Sequence, residues 1–248
     1  MTQFLKTANI PEKSVDLVIV SDYRSEIITE LVGNYHIKVI SPQPLENING
    51  SERYHADMCV LHMGENRFVV DSGNTDLKNN LKMLGADVAL CSNISASMPL
   101  LNVCLMNNKM ICNEKKTFPE IIRYCLEHDI RIIHTKQGYT KCSIAVLNEN
   151  ALITSDDSVC RLCIKEKIDV LKVVCEGIRL DGYPNGFIGG CCGLLSYDTL
   201  AFCGNIKRHP DYNEIRDFAL NHRIRIVSLG NGDLYDIGGI IPVAEKEY

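Results

Sequence analysis

Four short stretches of this chain carry residues whose types and spacing could do chemistry. "YHADM" sets His55 and Asp57 two residues apart. At a strand start both face one way, so Asp57 either orients the imidazole as a general base or pairs with a cationic substrate. The plainer alternative is a histidine bonded to a loop carbonyl, with Asp57 a turn acid. "GYTKC" sets Lys141 beside Cys142. A neighbouring ammonium raises the thiolate fraction that a nucleophile needs. Against this, adjacent residues of a strand point to opposite faces, and a small buried Cys beside a solvated Lys is the competing reading. "GFIGGCCGLL" runs from Phe187 through Gly189 and Gly190 to Cys191 and Cys192. Its glycines either let backbone N–H groups approach a ligand or solve close packing where strands crowd. "DIGGIIPV" holds Asp236 before a Gly-Gly pair. That carboxylate either receives a guanidinium in bidentate geometry or caps its own turn through an Asx hydrogen bond.

The candidate catalytic set is therefore His55, Asp57 and Cys142, with Cys192 a weaker nucleophile. The candidate binding set is Lys141, Phe187, Gly189, Gly190, Cys192 and Asp236. Other motifs are set aside. Cys160 and Cys163 form a CxxC without a second pair, and His209-Pro210-Asp211 lacks a third ligand at useful spacing, so no metal site is expected. His62 reads as a packing residue, and Asp156 and Asp157 as caps of the helix that follows. Neither GxGxxG nor GxxxxGK[ST] occurs, which disfavours NAD and ATP, and no cofactor is expected.

These residues need elements to position them, and a repeat supplies those elements. An apolar strand ending in a polar cap recurs around Val69, Ile111, Ile153 and Ala201, at intervals of 42, 42 and 48 residues. Each copy is preceded by another strand and a tight turn ("DMCVLHMGEN", "LNVCLMNNK", "CSIAVLNEN", "CGLLSYDT"). Each is followed by a helical stretch: Leu77, Leu81 and Leu84 with Gly85 as a stop, Thr117 and Glu120 as a capping box, and Pro210 in the first turn of another. Each ends in a short buried strand. The unit is strand–turn–strand–helix–strand. A fifth copy, residues 17–41, lacks its first strand, and the lone C-terminal "GGIIPV" supplies it by pairing beside residues 17–21. The expected fold is α/β: a single closed domain over residues 1–248, with a repeat core at about 14–243. In such a ring the first strands line the axis, so residues just before them converge on one mouth.

Composition narrows the function classes. The net charge of −5 argues against nucleic acid and anionic membrane as partners, because both want a basic face. No run approaches the length of a membrane span and the N-terminus has no apolar signal region. The cytosol is the expected compartment, with the 12 cysteines as thiols. The oligomeric state is left open.

Five ββαβ units around a pseudo-fivefold axis resemble the pentein fold, an α/β-propeller of five blades. It is the architecture of the guanidino-group-modifying enzymes, and of a non-catalytic ribosome anti-association factor. The set "YHADM", "GYTKC", "ALITSD", "GFIGG", "HPDY" and "DIGGIIP" resembles, more closely, a bacterial family of unknown function on this fold, found mostly in clostridia. The resemblance implies a polar pocket at the axis for a small cationic or polar ligand, with amidino-group hydrolase or transferase chemistry as one outcome. Catalytic penteins carry a Cys nucleophile just after a Gly-Gly in the closing strand. Here Pro242 stands about there, and proline supplies no nucleophile. The His-x-acid motif also sits in a different unit. The resemblance therefore implies equally a pentein that binds a ligand or protein without covalent chemistry.

Overall fold

The computed structural model describes residues 2–247 and shows a mixed α/β protein. The chain begins with β1 (Gln3–Phe4), β2 (Val15–Val20), α1 (Ser25–Gly33) and β3 (Lys38–Ile40). A second unit holds α2 (Ala56–Cys59), β4 (Val60–Gly64), β5 (Arg67–Asp71), α3 (Thr75–Met83) and β6 (Asp87–Cys91). A third holds β7 (Cys104–Met106), β8 (Lys109–Cys112), α4 (Pro119–Glu127) and β9 (Arg131–His134). A fourth holds α5 (Thr140–Ser143), β10 (Ile144–Asn148), β11 (Ala151–Thr154), α6 (Asp157–Lys165) and β12 (Asp169–Lys172). The last stretch holds β13 (Ile178–Arg179), β14 (Cys192–Ser196), β15 (Thr199–Cys203), α7 (Tyr212–Asn221), β16 (Arg225–Leu229), β17 (Leu234–Tyr235) and β18 (Ile240–Glu245).

Four small sheets share one pattern. The first strand pairs antiparallel with the second, and the helix returns the chain so that the third lies parallel to the second: β4-β5-β6, β7-β8-β9, β10-β11-β12 and β14-β15-β16. The fifth sheet is assembled from both ends of the sequence in the order β1-β18-β2-β3. The C-terminal strand lies antiparallel to β2, with Ile240 opposite Val20, which is the pairing the repeat predicts. Two pieces were not expected: β1, which pairs with the outer edge of β18, and the two-residue ladder of β13 with β17. Both are too short to leave a periodic signal.

Apolar spacing explains the helices. Five of them bury a pair at i and i+4: Ile27 and Leu31, Leu77 and Leu81, Ile121 and Cys125, Val159 and Cys163, Ile215 and Ala219. Asp156 caps α6 as expected, accepting from the backbone N–H groups of Ser158 and Val159. Gly85, at φ +93°, follows the end of α3. Two local expectations are corrected. No capping box forms at Thr117 and Glu120, because Pro119 starts α4 and the Thr117 hydroxyl bonds Asn113 O instead, at 2.9 Å. Pro210 lies before the first turn of α7, which begins at Tyr212 behind Asp211.

The first strands of neighbouring units pack on one another. Leu61 and Met63 of β4 share a core cluster with Leu105 of β7. Cys104 and Met106 of β7 share one with Ile144 and Val146 of β10, as do Ala145 and Leu147 with Leu194 of β14. A Cβ at Gly193 of β14 would overlap Ile240 O of β18. His62 of β4 reaches β18 through Nδ1, 3.2 Å from Pro242 O.

His62 is a packing residue, as its sequence context suggests, with its ring stacked on Phe68 at 4.4 Å. Burial holds its pKa below the ordinary 6.5. The unfolded chain therefore protonates first as pH falls, so this contribution is complete above about pH 6.5 and is lost below it. Urea unfolding measured from pH 7.5 to 5 should show a midpoint that falls with acid, and less steeply in His62→Gln.

Candidate active site

The structure brings His55, Asp57 and Cys142 together, with Asp236 beside His55, and the first three stand on short helices or at their starts rather than on strand starts. His55 follows a 3₁₀ turn, Ser51–Tyr54, and stands immediately before α2, which carries Asp57. Lys141 and Cys142 lie on α5. One helical turn lets the chain swing from the rim into the first strand. It also replaces strand alternation, so the opposite-face objection to Lys141 and Cys142 does not apply.

Cys142 Sγ donates to Asp57 Oδ2 at 2.8 Å and lies 3.9 Å from His55 Nδ1. His55 Nδ1 is 3.7 Å from Asp236 Oδ1. All four residues are at most 3 % exposed. Asp57 Oδ1 and His55 Nε2 are buried without any hydrogen-bond partner. Burial pushes the Asp57 carboxyl up from 3.8 to about 6, against the opposing pull of His55 and Lys141. The Cys142 thiol is driven well above its ordinary 9.0 by burial, then by Asp57 and Asp236. The expected activation by Lys141 is thus not the dominant influence: burial and two carboxylates favour the proton on sulfur.

Asp236 has the capping role. Oδ1 accepts from Gly238 N at 3.2 Å, the Asx bond, and Oδ2 accepts from Phe187 N at 2.8 Å. The half-buried Phe187 thus meets the site through its backbone. Gly238 and Gly239 both take positive φ, +76° and +73°. A Cβ at Gly238 would come 2.5 Å from His55 Cβ, so the hinge must be glycine for His55 to sit where it does. Gly189 and Gly190 follow the packing alternative. A Cβ on Gly190 would overlap the Asp236 carboxylate, and one on Gly189 would overlap Ile144 O. Gly190 O accepts from the N–H groups of Ile237 and Gly239. Cys191 bonds Ile188 O. Burial pushes the Cys192 thiol up to about 12, and among the described residues no hydrogen bond joins it to the His55–Asp57–Cys142 cluster. Lys141 is buried at 7 % exposure and lowers the charge cost at Asp57.

Two contributors were missed in the sequence. Asn102 clamps Cys142 from both sides: its Oδ1 accepts from Cys142 N at 3.1 Å and its Nδ2 donates to Sγ at 3.4 Å. It stands just before β7, the position in its unit that Asp57 and Cys142 hold in theirs, so the repeat could have flagged it. The other is a strap over the turn leading to His55. Ser51 Oγ donates to Asp181 O at 2.8 Å, and Tyr183 OH donates to the buried Glu52.

Four three-stranded sheets of this pattern, with a Cys, a His and carboxylates gathered ahead of first strands, invite comparison with solved structures. Several align with its fold over most of the chain. The inosamine-phosphate amidinotransferase of Streptomyces griseus aligns with a TM-score of 0.60 at 11% identity, covering 99% of this chain and 98% of that one. An agmatine deiminase of C. jejuni aligns at 0.57 and 9%, covering 97% and 96%. The dimethylarginine dimethylaminohydrolase of Pseudomonas aeruginosa, complexed with citrulline, aligns at 0.56 and 12%, covering 87% and 92%. At such identities the likeness is one of fold. No curated protein matches the chain. The chain belongs to the family of unknown function DUF6873, which matches residues 19–241. Among the described residues no helix is long and apolar enough to cross a membrane, and all 12 cysteines are free.

Proposed function

We propose that the chain forms one five-bladed pentein domain in the cytosol, its ring closed by β18, and acts on the amidino carbon of a small cationic substrate. The observation that carries this is the thiol of Cys142 within reach of both Asp57 and His55, groups brought from two different units. Cys142 attacks the amidino carbon, forming an S–C bond while its proton passes to His55, directly or by way of Asp57. His55 returns a proton to the departing amine as the C–N bond breaks. Water, or an amine acceptor, then attacks the amidino-thioether and releases Cys142 as a thiol. Asp57 balances the substrate's charge, Asp236 fixes His55 and the Gly-Gly hinge, and the Tyr183 strap opens to admit the ligand. The fold shared with an amidinotransferase and a deiminase supports this substrate class.

A second reading is favoured by one observation: burial holds the Cys142 proton on sulfur. The same buried cluster would then bind a cationic ligand without a covalent step, and Pro242 inside β18 supplies no alternative nucleophile.

A limiting haloacetamidine at neutral pH, with labelled cysteines mapped by mass spectrometry, separates the two. Selective labelling of Cys142, abolished in Cys142→Ala, supports the nucleophile. Uniformly slow labelling of all 12 cysteines overturns it and leaves ligand binding.

A further inference from the structure

Zinc chemistry wants a small set of buried nitrogen, oxygen and sulfur donors that can converge within one coordination sphere. His55, Asp57 and Cys142 each offer such an atom, and the three lie within 4.8 Å of one another. No pattern in the sequence announced this set, because its members come from segments 85 residues apart and share no CxxC or HxxxH spacing. We propose that these three residues bind one divalent cation of borderline softness, Zn²⁺ foremost, with Asp236 beside His55 as the nearest further carboxylate.

Three features of the geometry carry the inference. The donor types are mixed in the way that suits Zn²⁺ over Mg²⁺ or Ca²⁺, which take oxygen sets. The separations fit: donors about 2.0–2.3 Å from a tetrahedral metal stand about 3.5 Å from one another. Cys142 Sγ to His55 Nδ1 is 3.9 Å, and His55 Nδ1 to Asp236 Oδ1 is 3.7 Å. The one shorter pair, Sγ to Asp57 Oδ2 at 2.8 Å, is joined by the thiol proton that a metal would displace, and must open slightly. Finally, Asp57 Oδ1 is buried with no partner, so that carboxylate keeps an oxygen free to coordinate, and the unpartnered His55 Nε2 can carry the imidazole proton and leave Nδ1, the atom facing Sγ, as the ligand. Asn102, bonded to both the backbone and the sulfur of Cys142, would orient the ligand from behind.

Binding is a proton-for-metal exchange: a Zn–S bond forms, the thiol proton leaves to solvent, and no oxidation state changes. The sulfur that holds the metal cannot attack a substrate, so the ion would act as a reversible block on the chemistry proposed above. The inference rests on the same cluster as that reading but not on its covalent step.

The test uses the full chain, stripped with a chelator and then titrated with Co²⁺ as a spectroscopic substitute and with Zn²⁺. One equivalent should bind, with a thiolate-to-cobalt charge-transfer band in the near ultraviolet. Cys142→Ser should lose the band, and Asp57→Asn, which keeps the side chain's shape, should weaken binding by at least about 10–100-fold, the loss that even an outer-shell change causes. Cys192→Ser should bind as wild type. Absence of the band, or its persistence in Cys142→Ser, overturns the site, as does an unchanged affinity in Asp57→Asn. Haloacetamidine labelling of the metal-free protein keeps the two ideas apart. Cys142 that labels but binds no metal sinks this proposal alone. Cys142 that binds metal but never labels sinks the nucleophile alone.

Discussion

Gly189→Ala should lower the unfolding free energy by about 3 kcal/mol or more, a large share of what a domain of this kind holds. The added Cβ would overlap Ile144 O and come 2.5 Å from Lys141 O. Both obstacles are backbone, one from β10 and one from α5, so no side chain can rotate away. Relief requires moving the helical turn that carries Cys142. Gly33→Ala provides the internal comparison. Nothing lies within 4 Å of its Cβ position, at the end of α1, and the change should be neutral or stabilising by up to ~1 kcal/mol. Chemical denaturation of the two variants beside wild type measures the contrast. Equal midpoints would mean that the glycines near the site are present for ligand approach rather than packing.

Asp236→Ala should cost about 3 kcal/mol. Its two oxygens accept the backbone N–H groups of Phe187 and Gly238, and removal leaves one buried and one part-buried donor unpaired, at roughly 1–3 kcal/mol apiece. Asp236→Asn keeps one acceptor and should cost about half as much. The order Ala worse than Asn worse than wild type, from urea midpoints, identifies a carboxylate retained for structure. A stable Asp236→Ala variant that loses ligand binding would instead assign it to substrate, the alternative its sequence context leaves open.

The repeat was legible because its first two strands are buried on both faces and read as short apolar runs, while its helices bury pairs four residues apart. The reactive types of four stretches could be placed just before first strands from their position in those units alone. The short helices α2 and α5 were not legible. Four residues span barely one turn, leave no amphipathic signal, and read equally well as the start of the strand that follows. That error mattered, since strand alternation separated Lys141 from Cys142 on paper. The direction of the thiol's shift was also out of reach. Lys141 is visible as a neighbour in sequence, whereas the burial and the Asp57 and Asp236 carboxylates that outweigh it come from distant segments. Asn102 was overlooked for a simpler reason: an amide is not titratable, so a search for reactive groups passes over it.

The sheet built from β1, β18, β2 and β3 also sets the order in which the protein can be completed. β2 is made early, yet its antiparallel neighbour begins at Ile240. During synthesis that edge of β2 has no native partner until more than 200 further residues have emerged, about the longest loop this chain can close. The four units with local hairpins can form first, each as its helix arrives. The sheet that joins the two ends is then the last to assemble. Until it does, the Gly-Gly hinge that abuts His55 is not in place, so the cluster of His55, Asp57 and Cys142 is finished only when the fold is.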